Sequence, residues 1–308
     1  MSDTLADAAL LELLGWLDRE GYDFVTPTPL THGRILRRDG FAEARDLRDV
    51  LGWSRLFDRA ILPDEVFDCL RAAGVLESCG ERWKSRIRVS RLRGRLFIHS
   101  AYPTEAEDAV FLGPDSYRFA DLVARELPTL PTGPVLDVGG GCGVGAITAA
   151  GLCAVPVGLT DVNPRALRFA RLNAAHAQVG VEARQASGLE GAPSGLGAVL
   201  ANPPYIADTE RTYSDGGDLH GGALSVDWAR QALERLAPGG KLILYTGAAI
   251  TTGGRDRLRE ALAEVGDACG AVMDYRELDP DVFGEELERP AYADVERIAV
   301  VACMMTAT

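Results

Sequence analysis

Val135-Leu136-Asp137-Val138 runs without interruption into Gly139-Gly140-Gly141-Cys142-Gly143-Val144-Gly145, and Ala146-Ile147-Thr148-Ala149-Ala150 follows. An apolar run, a glycine-rich turn and a stretch of small residues read as strand, tight loop and helix. Glycines there let the chain turn sharply and let a ligand approach backbone that a Cβ would block. A loop of this kind also serves as a plain strand–helix turn, so its surroundings decide its meaning. Asp161 closes the next apolar run, Val155–Thr160, and stands 18 residues after Gly143. An acid at that place can accept hydrogen bonds from ribose hydroxyls.

Outward from the loop the same alternation continues. Val135–Val138, Val155–Thr160, Ala198–Ala201 and Leu242–Tyr245 are short apolar runs, each followed by turn residues or a helical segment. Continuously apolar strands alternating with helices predict a doubly wound α/β fold, its mostly parallel sheet covered on both faces. After Gly266 the pattern changes. Ala271–Tyr275 and Ile298–Met304 read as strands joined by a long acidic loop rather than a helix, which predicts an antiparallel C-terminal strand.

The fourth strand, Ala198–Ala201, ends in Asn202-Pro203-Pro204-Tyr205. Two prolines suffice to stop a strand, because neither can donate to a ladder. The ligand crevice of an open α/β sheet, however, lies at the carboxyl ends of its strands. A planar amide or aromatic amine nitrogen is a poor nucleophile, because its lone pair is delocalised. The Asn202 side-chain oxygen and an adjacent backbone carbonyl can accept both of its N–H bonds and favour a tetrahedral geometry. Pro203 fixes the φ that aims its own carbonyl, and Tyr205 can stack on the planar group. Direct displacement then gains rate from alignment and charge complementarity rather than from a strong base.

Asp137, Gly139, Gly141 and Gly143 form D-x-G-x-G-x-G, which resembles the first motif of class I S-adenosylmethionine-dependent methyltransferases. Thr160-Asp161-Val162-Asn163-Pro164 resembles the second, and Asn202-Pro203-Pro204-Tyr205 resembles the D/N/S-P-P-Y/F/W motif of the N-methyltransferases among them. The likeness covers residues 108 to 305 and is greatest to the release-factor glutamine methyltransferases and related rRNA methyltransferases. It implies a Rossmann-like fold and S-adenosylmethionine as cofactor, with S-adenosylhomocysteine as product. It also implies a glycine loop around the methionine portion, Asp161 on the ribose, Asn163 or its neighbourhood beside the adenine, and Asn202 at the transfer site. Relatives place an acid after the third strand for the adenine amino group; here Gln185-Ala186-Ser187-Gly188 offers Ser187 or the backbone. Val110–Ser116 matches the short segment that covers cofactor and target, with Asp115, Tyr117 and Arg118 as candidates.

The N-terminal region is of another kind. Leu10, Leu13, Leu14 and Leu17 recur at helical spacing before Gly21, a second helix is predicted over Phe41–Leu51, and a third starts at Pro63-Asp64 and stops at Gly74. Lys84, Arg86 and Arg88 then alternate with Ser85, Ile87 and Val89, and a turn at Arg93-Gly94 leads into Leu96-Phe97-Ile98. This predicts a hairpin with one polar face, and a small α+β unit, winged-helix-like in one arrangement. Tyr102–Asp108 reads as a linker, dividing the chain into a substrate-recognition region, 1–104, and a catalytic region, 105–308. Residues 1–104 carry 16 basic and 16 acidic side chains, so the net charge of −13 resides in the remainder.

That charge argues against broad electrostatic attachment to nucleic acid and suits a protein acceptor with a glutamine-type amide. Arg82, Lys84, Arg86, Arg88, Arg91, Arg93 and Arg95, with no acid among them, keep RNA as an alternative partner. A nucleobase of rRNA, tRNA or DNA would then be extruded into the same pocket. A small amide-bearing metabolite is a third acceptor. A scaffold that has lost activity fits poorly with an intact Asn202–Tyr205, and a redox enzyme leaves Asn202 unexplained. Six scattered cysteines without a C-x-x-C pair and four histidines without ligand spacing predict neither metal nor disulfides. The absence of a long apolar span and of a basic start predicts a cytoplasmic protein without membrane attachment.

Overall fold

The computed structural model describes residues 3–38, 40, 43–206 and 216–308. A seven-strand path organises the second region: β5 (Val135–Val138), β6 (Val157–Asp161), β7 (Glu182–Gln185), β8 (Leu196–Ala201), β9 (Leu236–Thr251), β11 (Val272–Asp279) and β12 (Val295–Thr306). The spatial order is β7-β6-β5-β8-β9-β12-β11, and the two-residue β10 (Arg255–Asp256) pairs on β9. The pairs from β7 through β9 are parallel, whereas β12 runs antiparallel to both neighbours. The expected α/β sheet with its reversed C-terminal strand is therefore present. Its long acidic loop holds two 3-10 turns, Gly284–Glu288 and Pro290–Tyr292, in place of a crossover helix.

Helices cover both faces. α8 (Ala223–Leu233) and α9 (Arg257–Cys269) bury Val138, Val199, Leu242 and Val301 on one side. α5 (Pro114–Glu126), α6 (Val144–Ala150) and α7 (Pro164–His176) serve the other, where Val135, Leu200, Ile243 and Val300 point. Residues one apart on a strand thus enter different cores, which is why these strands read as unbroken apolar runs. β7, reading Glu-Ala-Arg-Gln, is a short polar edge strand and has no such signal.

The first region contains α1 (Asp3–Arg19), α2 (Pro29–Leu36), α3 (Leu47–Leu51) and α4 (Asp64–Ala72), then hairpins β1 (Leu76–Cys79)–β2 (Arg82–Ser85) and β3 (Ile87–Leu92)–β4 (Arg95–Ser100). Leu10, Leu13, Leu14 and Leu17 are fully buried. The helix expected over Phe41–Leu51 is a single turn from Leu47, capped by the Asp46 carboxylate; Phe41 itself lies outside the described residues. α2 escapes a periodicity reading because it is eight residues long behind Pro27-Thr28-Pro29, although Thr28 caps it and Pro29 suits its first turn.

The expected single hairpin is two, and β3–β4 is not half solvated. Arg88, Ser90 and His99, the polar side of that alternation, are buried along with Ile87, Val89, Phe97 and Ile98. Docking covers the outer face: one apolar cluster includes residues of α1, α4, β3 and β4 together with Val110, Leu112, Cys142, Ile147, Phe169 and Leu172. Among the described residues no helix is long and apolar enough to cross a membrane.

Candidate active site

Strand register assembles the site. Val138 lies opposite Thr160 on β6 and Ala201 on β8, Asp161 opposite Gln185, and Ala201 opposite Leu244. Gly139, Asp161 and Asn202 therefore occupy neighbouring strand ends at roughly 5 Å intervals, along the carboxyl edge, level with Tyr245 inside the longer β9.

The glycine loop leaves β5 with Gly139, Gly141 and Gly143 all in the left-handed region, at φ 61°, 55° and 90°. Asp137 is 1% exposed, and its Oδ2 accepts the Ala146 N–H at 2.8 Å. A Cβ on Gly140 or Gly145 would come within 2.8 or 2.7 Å of that same oxygen, so both positions must stay bare. Asp137 Oδ1 is buried with no partner among the described residues. Burial, reinforced by the nearby Asp161 charge, pushes the Asp137 carboxyl up to about 7 against the pull of the Ala146 amide. Asp161 Oδ2 accepts from Gly141 N–H at 2.9 Å and Oδ1 from Asn163 N–H at 2.8 Å. Its own carboxyl is raised by burial, against these amide bonds. Each Asp161 oxygen can still accept another hydrogen bond. A bare backbone cradle, an orphaned buried carboxylate oxygen and a second carboxylate on the adjacent strand fit a ligand carrying cationic groups and a ribose.

Asn163 does other work than the resemblance implies. Its Oδ1 accepts from Arg165 N–H as the cap of α7, and its Nδ2 donates to the Asp108 carbonyl. Its neighbour Val162 is 62% exposed beside Asp161 and offers the apolar surface instead. Ser187 is exposed after β7, and the adjacent Gly188 carbonyl accepts from Thr160 Oγ1. Trp228 of α8 escaped the sequence reading. A Cβ on Gly139 would lie 2.6 Å from its ring and one on Gly188 3.0 Å from its indole nitrogen, so the indole packs against both sides of the cradle. A lone tryptophan on an amphipathic helix gives no signal of that role.

At the end of β8, Asn202 is half-buried and Pro203 buried. Tyr205 is 7% exposed, closed in by Gly247, where a Cβ would meet its ring at 2.2 Å, and by the Phe283 ring at 5.9 Å. Its hydroxyl donates to Asp115 Oδ2 at 2.6 Å, and the Tyr245 hydroxyl donates to Asp115 Oδ1 at 2.7 Å. Burial and the Asp115 charge drive both phenols above their usual range. Tyr205 is thus an anchored ring with little free surface. Arg118, one turn along α5, reaches Asp115 at 3.6 Å and Asp279 at 2.8 Å. Tyr117 does not join them: two residues along a helix is more than half a turn, and its hydroxyl accepts the Thr26 N–H on the opposite side, against the N-terminal unit.

The basic run is largely spent inside the molecule. Arg82 pairs with Glu43, Arg91 with Asp18 and Arg93 with Asp121. Arg86, Arg88 and Arg95 donate to the carbonyls of Gly74, Ser100 and Ile147. A run without acids reads as a free cationic face only until the fold supplies acids and carbonyls from elsewhere.

The region that holds this site is similar to known methyltransferases. The family model of the methyltransferase small domain matches residues 109–269, just over half of the chain. A release factor glutamine methyltransferase of Deinococcus radiodurans is 30% identical over 178 residues, 53% of this chain and 63% of its own length. Another from Cereibacter sphaeroides is 29% identical over 67% of this chain and 79% of its own length. The ribosomal RNA small subunit methyltransferase C of Pseudomonas aeruginosa is 34% identical over 41% of this chain, but the match spans only 36% of that protein. Among solved structures, Trm5b from Pyrococcus abyssi superposes with a TM-score of 0.51 at 15% identity, over 76% of this chain and 62% of that one. M. jannaschii TYW2 in complex with AdoMet gives 0.50 at 14% identity, over 72% and 87%. At such identities these structures speak for the fold.

Proposed function

This chain belongs to the methyltransferase small domain family, and we propose that it transfers a methyl group from S-adenosylmethionine to a planar nitrogen, a glutamine-type side-chain amide of a protein. The family gives the class, a methyltransferase using S-adenosylmethionine; the acceptor is the proposal. The observation that carries it is the register that sets Asn202 beside Gly139 at the carboxyl edge of the sheet.

Bound S-adenosylmethionine supplies an electrophilic methyl on a cationic sulfonium. The chain's part is to hold its partners. The Gly139–Gly143 backbone and Asp137 enclose one end of the cofactor, Asp161 takes the ribose hydroxyls, and Val162 lies against the base. Asn202 Oδ1 accepts one N–H of the acceptor nitrogen, and the backbone following it, with φ fixed at Pro203, offers a carbonyl to the other. Tyr205, buried and held by Asp115, fixes the chain that follows Asn202. As the nitrogen gains the methyl it sheds one N–H proton, which its bond to Asn202 Oδ1 or to the following carbonyl directs out to water, and alignment rather than a strong base supplies the rate.

Three features support a protein acceptor over a nucleobase. The release-factor relatives align over more of both chains than the ribosomal RNA relatives. The net charge is −13, and six of the seven basic residues of the Arg82–Arg95 run are engaged internally. The test uses methyl-labelled cofactor with fractionated lysate: label enters protein, and label confined to RNA or to small molecules rejects the acceptor. Asn202→Ala should reduce transfer at least about 100-fold while calorimetry finds S-adenosylhomocysteine affinity within twofold. Equal loss of both removes Asn202 from the transfer role.

A further inference from the structure

In a regular α-helix the amide of residue i bonds the carbonyl of residue i−4. The first N–H groups of a helix have no such partner, and at the entrance to α6 side chains supply what is missing. The Ala146 N–H goes to Asp137 Oδ2 at 2.8 Å, and the Cys142 carbonyl, which lies just before the helix, is taken by Asn173 Nδ2 at 2.9 Å. The next bond, from Ile147 N–H to the Gly143 carbonyl, is regular at 2.9 Å. The helix begins at Val144, directly after Gly143 at φ 90°, so the Cys142 carbonyl stands in the loop rather than in the helix. A carbonyl buried without a donor is costly, so an opened loop entrance requires a group that supplies one.

Asn173 is fully buried in α7 and does more than this. Its Oδ1 accepts the Ile98 N–H at 2.8 Å, and its Nδ2 also donates to the Ile98 carbonyl at 3.1 Å. Ile98 lies in β4, whose other edge pairs with β3. The Asn173 amide thus meets the outer edge of β4 as a neighbouring strand would, and the same amide holds the tip of the glycine loop. One side chain joins the N-terminal unit to the cofactor cradle.

We propose that Asn173 is a positioning residue for the cofactor loop, through which strand β4 of the N-terminal unit holds Cys142 and Gly143 in their binding form. This rests on the reading of the Gly139–Gly143 loop as the S-adenosylmethionine cradle. It makes cofactor affinity a property of the docked N-terminal unit as well as of the sheet. Asn173→Asp preserves shape but sets an acceptor against two carbonyls. Asp7→Asn weakens the Arg168–Asp7 ion pair, 2.6 Å long, which also ties α1 to α7 but does not touch the loop.

The full-length chain and both variants would be titrated calorimetrically with S-adenosylhomocysteine, well below each unfolding midpoint. Asn173→Asp should weaken binding about tenfold or more, as expected when a buried carbonyl loses its donor. Asp7→Asn should stay within twofold, even though its midpoint falls. An Asn173→Asp chain that melts lower yet binds within twofold of wild type overturns the proposal and leaves Asn173 a packing residue. Wild type that fails to bind at all removes the cradle reading itself, a separate result. Should Asn173→Asp not fold, hydrogen exchange on wild type decides. Added S-adenosylhomocysteine should slow the Ile98 amide at least about tenfold more than amides of the β1–β2 hairpin, and equal slowing rejects the link.

Discussion

Two carboxylates carry most of the site's electrostatic consequence. Asp137, held up at about 7 chiefly by burial, keeps its proton between roughly pH 4 and 7, where the unfolded chain has lost it. Stability therefore falls as pH rises across that window, by at most about 1.4 kcal/mol per pH unit from this group. Asn at this position removes the term. The urea midpoint of Asp137→Asn relative to wild type should rise steadily from pH 4.5 to 7, the histidine terms being common to both, and a constant difference would show that Asp137 is ionised throughout. Asp115 gives one oxygen to Tyr205 and the other to Tyr245. Asp115→Ala would orphan two buried hydroxyls and release the ring that ends the tetrapeptide. Loss of alignment on the ångström scale costs on the order of 100-fold in rate. The expected signature is that loss in kcat with S-adenosylhomocysteine affinity within threefold, and a fall in affinity matching the fall in kcat would mean that the cofactor side collapses too.

Among the elements, legibility follows how local the cause is. β5, β8 and β9 bury both faces and announce themselves as apolar runs, and the glycine loop shows because its backbone needs bare positions. β7, a polar edge, and α2, short and framed by prolines, carry no period. The β3–β4 alternation is real in the sequence, but its polar face is buried rather than turned to solvent. In the fold Ser90 Oγ lies 2.9 Å from His99 Nε2 and 2.6 Å from Thr26 Oγ1, and α7 covers β4. The same distance effect hid Trp228 and placed Tyr117 on the wrong side of α5. The buried histidines of α2 and β4 give these two elements their own pH response. His32, stacked on Tyr102 at 4.1 Å, is lowered to about 4 by burial and then by the Arg88 charge, and His99 is lowered for the same reasons. Both stay neutral in the fold while the unfolded chain takes up protons below about 6.5, so their contribution is lost as pH falls from there towards 4. His32→Phe keeps a stacked ring without the titration. Its unfolding midpoint relative to wild type should rise as pH falls from 6.5 to 4.5, the Asp137 term being common to both, and a constant or falling difference would rule out His32 as a source of acid sensitivity.

For the whole molecule, charge and packing draw different maps. The neutral first 104 residues and the strongly acidic remainder look like two parts in the sequence. Yet a single apolar cluster holds Leu10, Leu14, Val89 and Ile98 together with Val110, Cys142, Phe169 and Leu172, and Asn173 and the Arg168–Asp7 pair cross the same junction. We propose that the two regions fold as one cooperative unit, although they differ in role. Residues 105–308 produced alone would then expose the outer face of α7 with Phe169 and Leu172, and buried polar groups such as the Asn173 amide would lose their partners. The fragment should bind an apolar dye strongly, unfold without a sharp transition and bind S-adenosylhomocysteine at least about tenfold more weakly than the full chain. The full chain should melt in one calorimetric step whose van't Hoff and calorimetric enthalpies agree. Two resolved transitions, or a fragment that melts sharply and binds as well as the whole, would mean that the junction is an ordinary interface between independent domains. In that case the N-terminal unit would have to influence the reaction through the acceptor rather than through the loop that holds the cofactor.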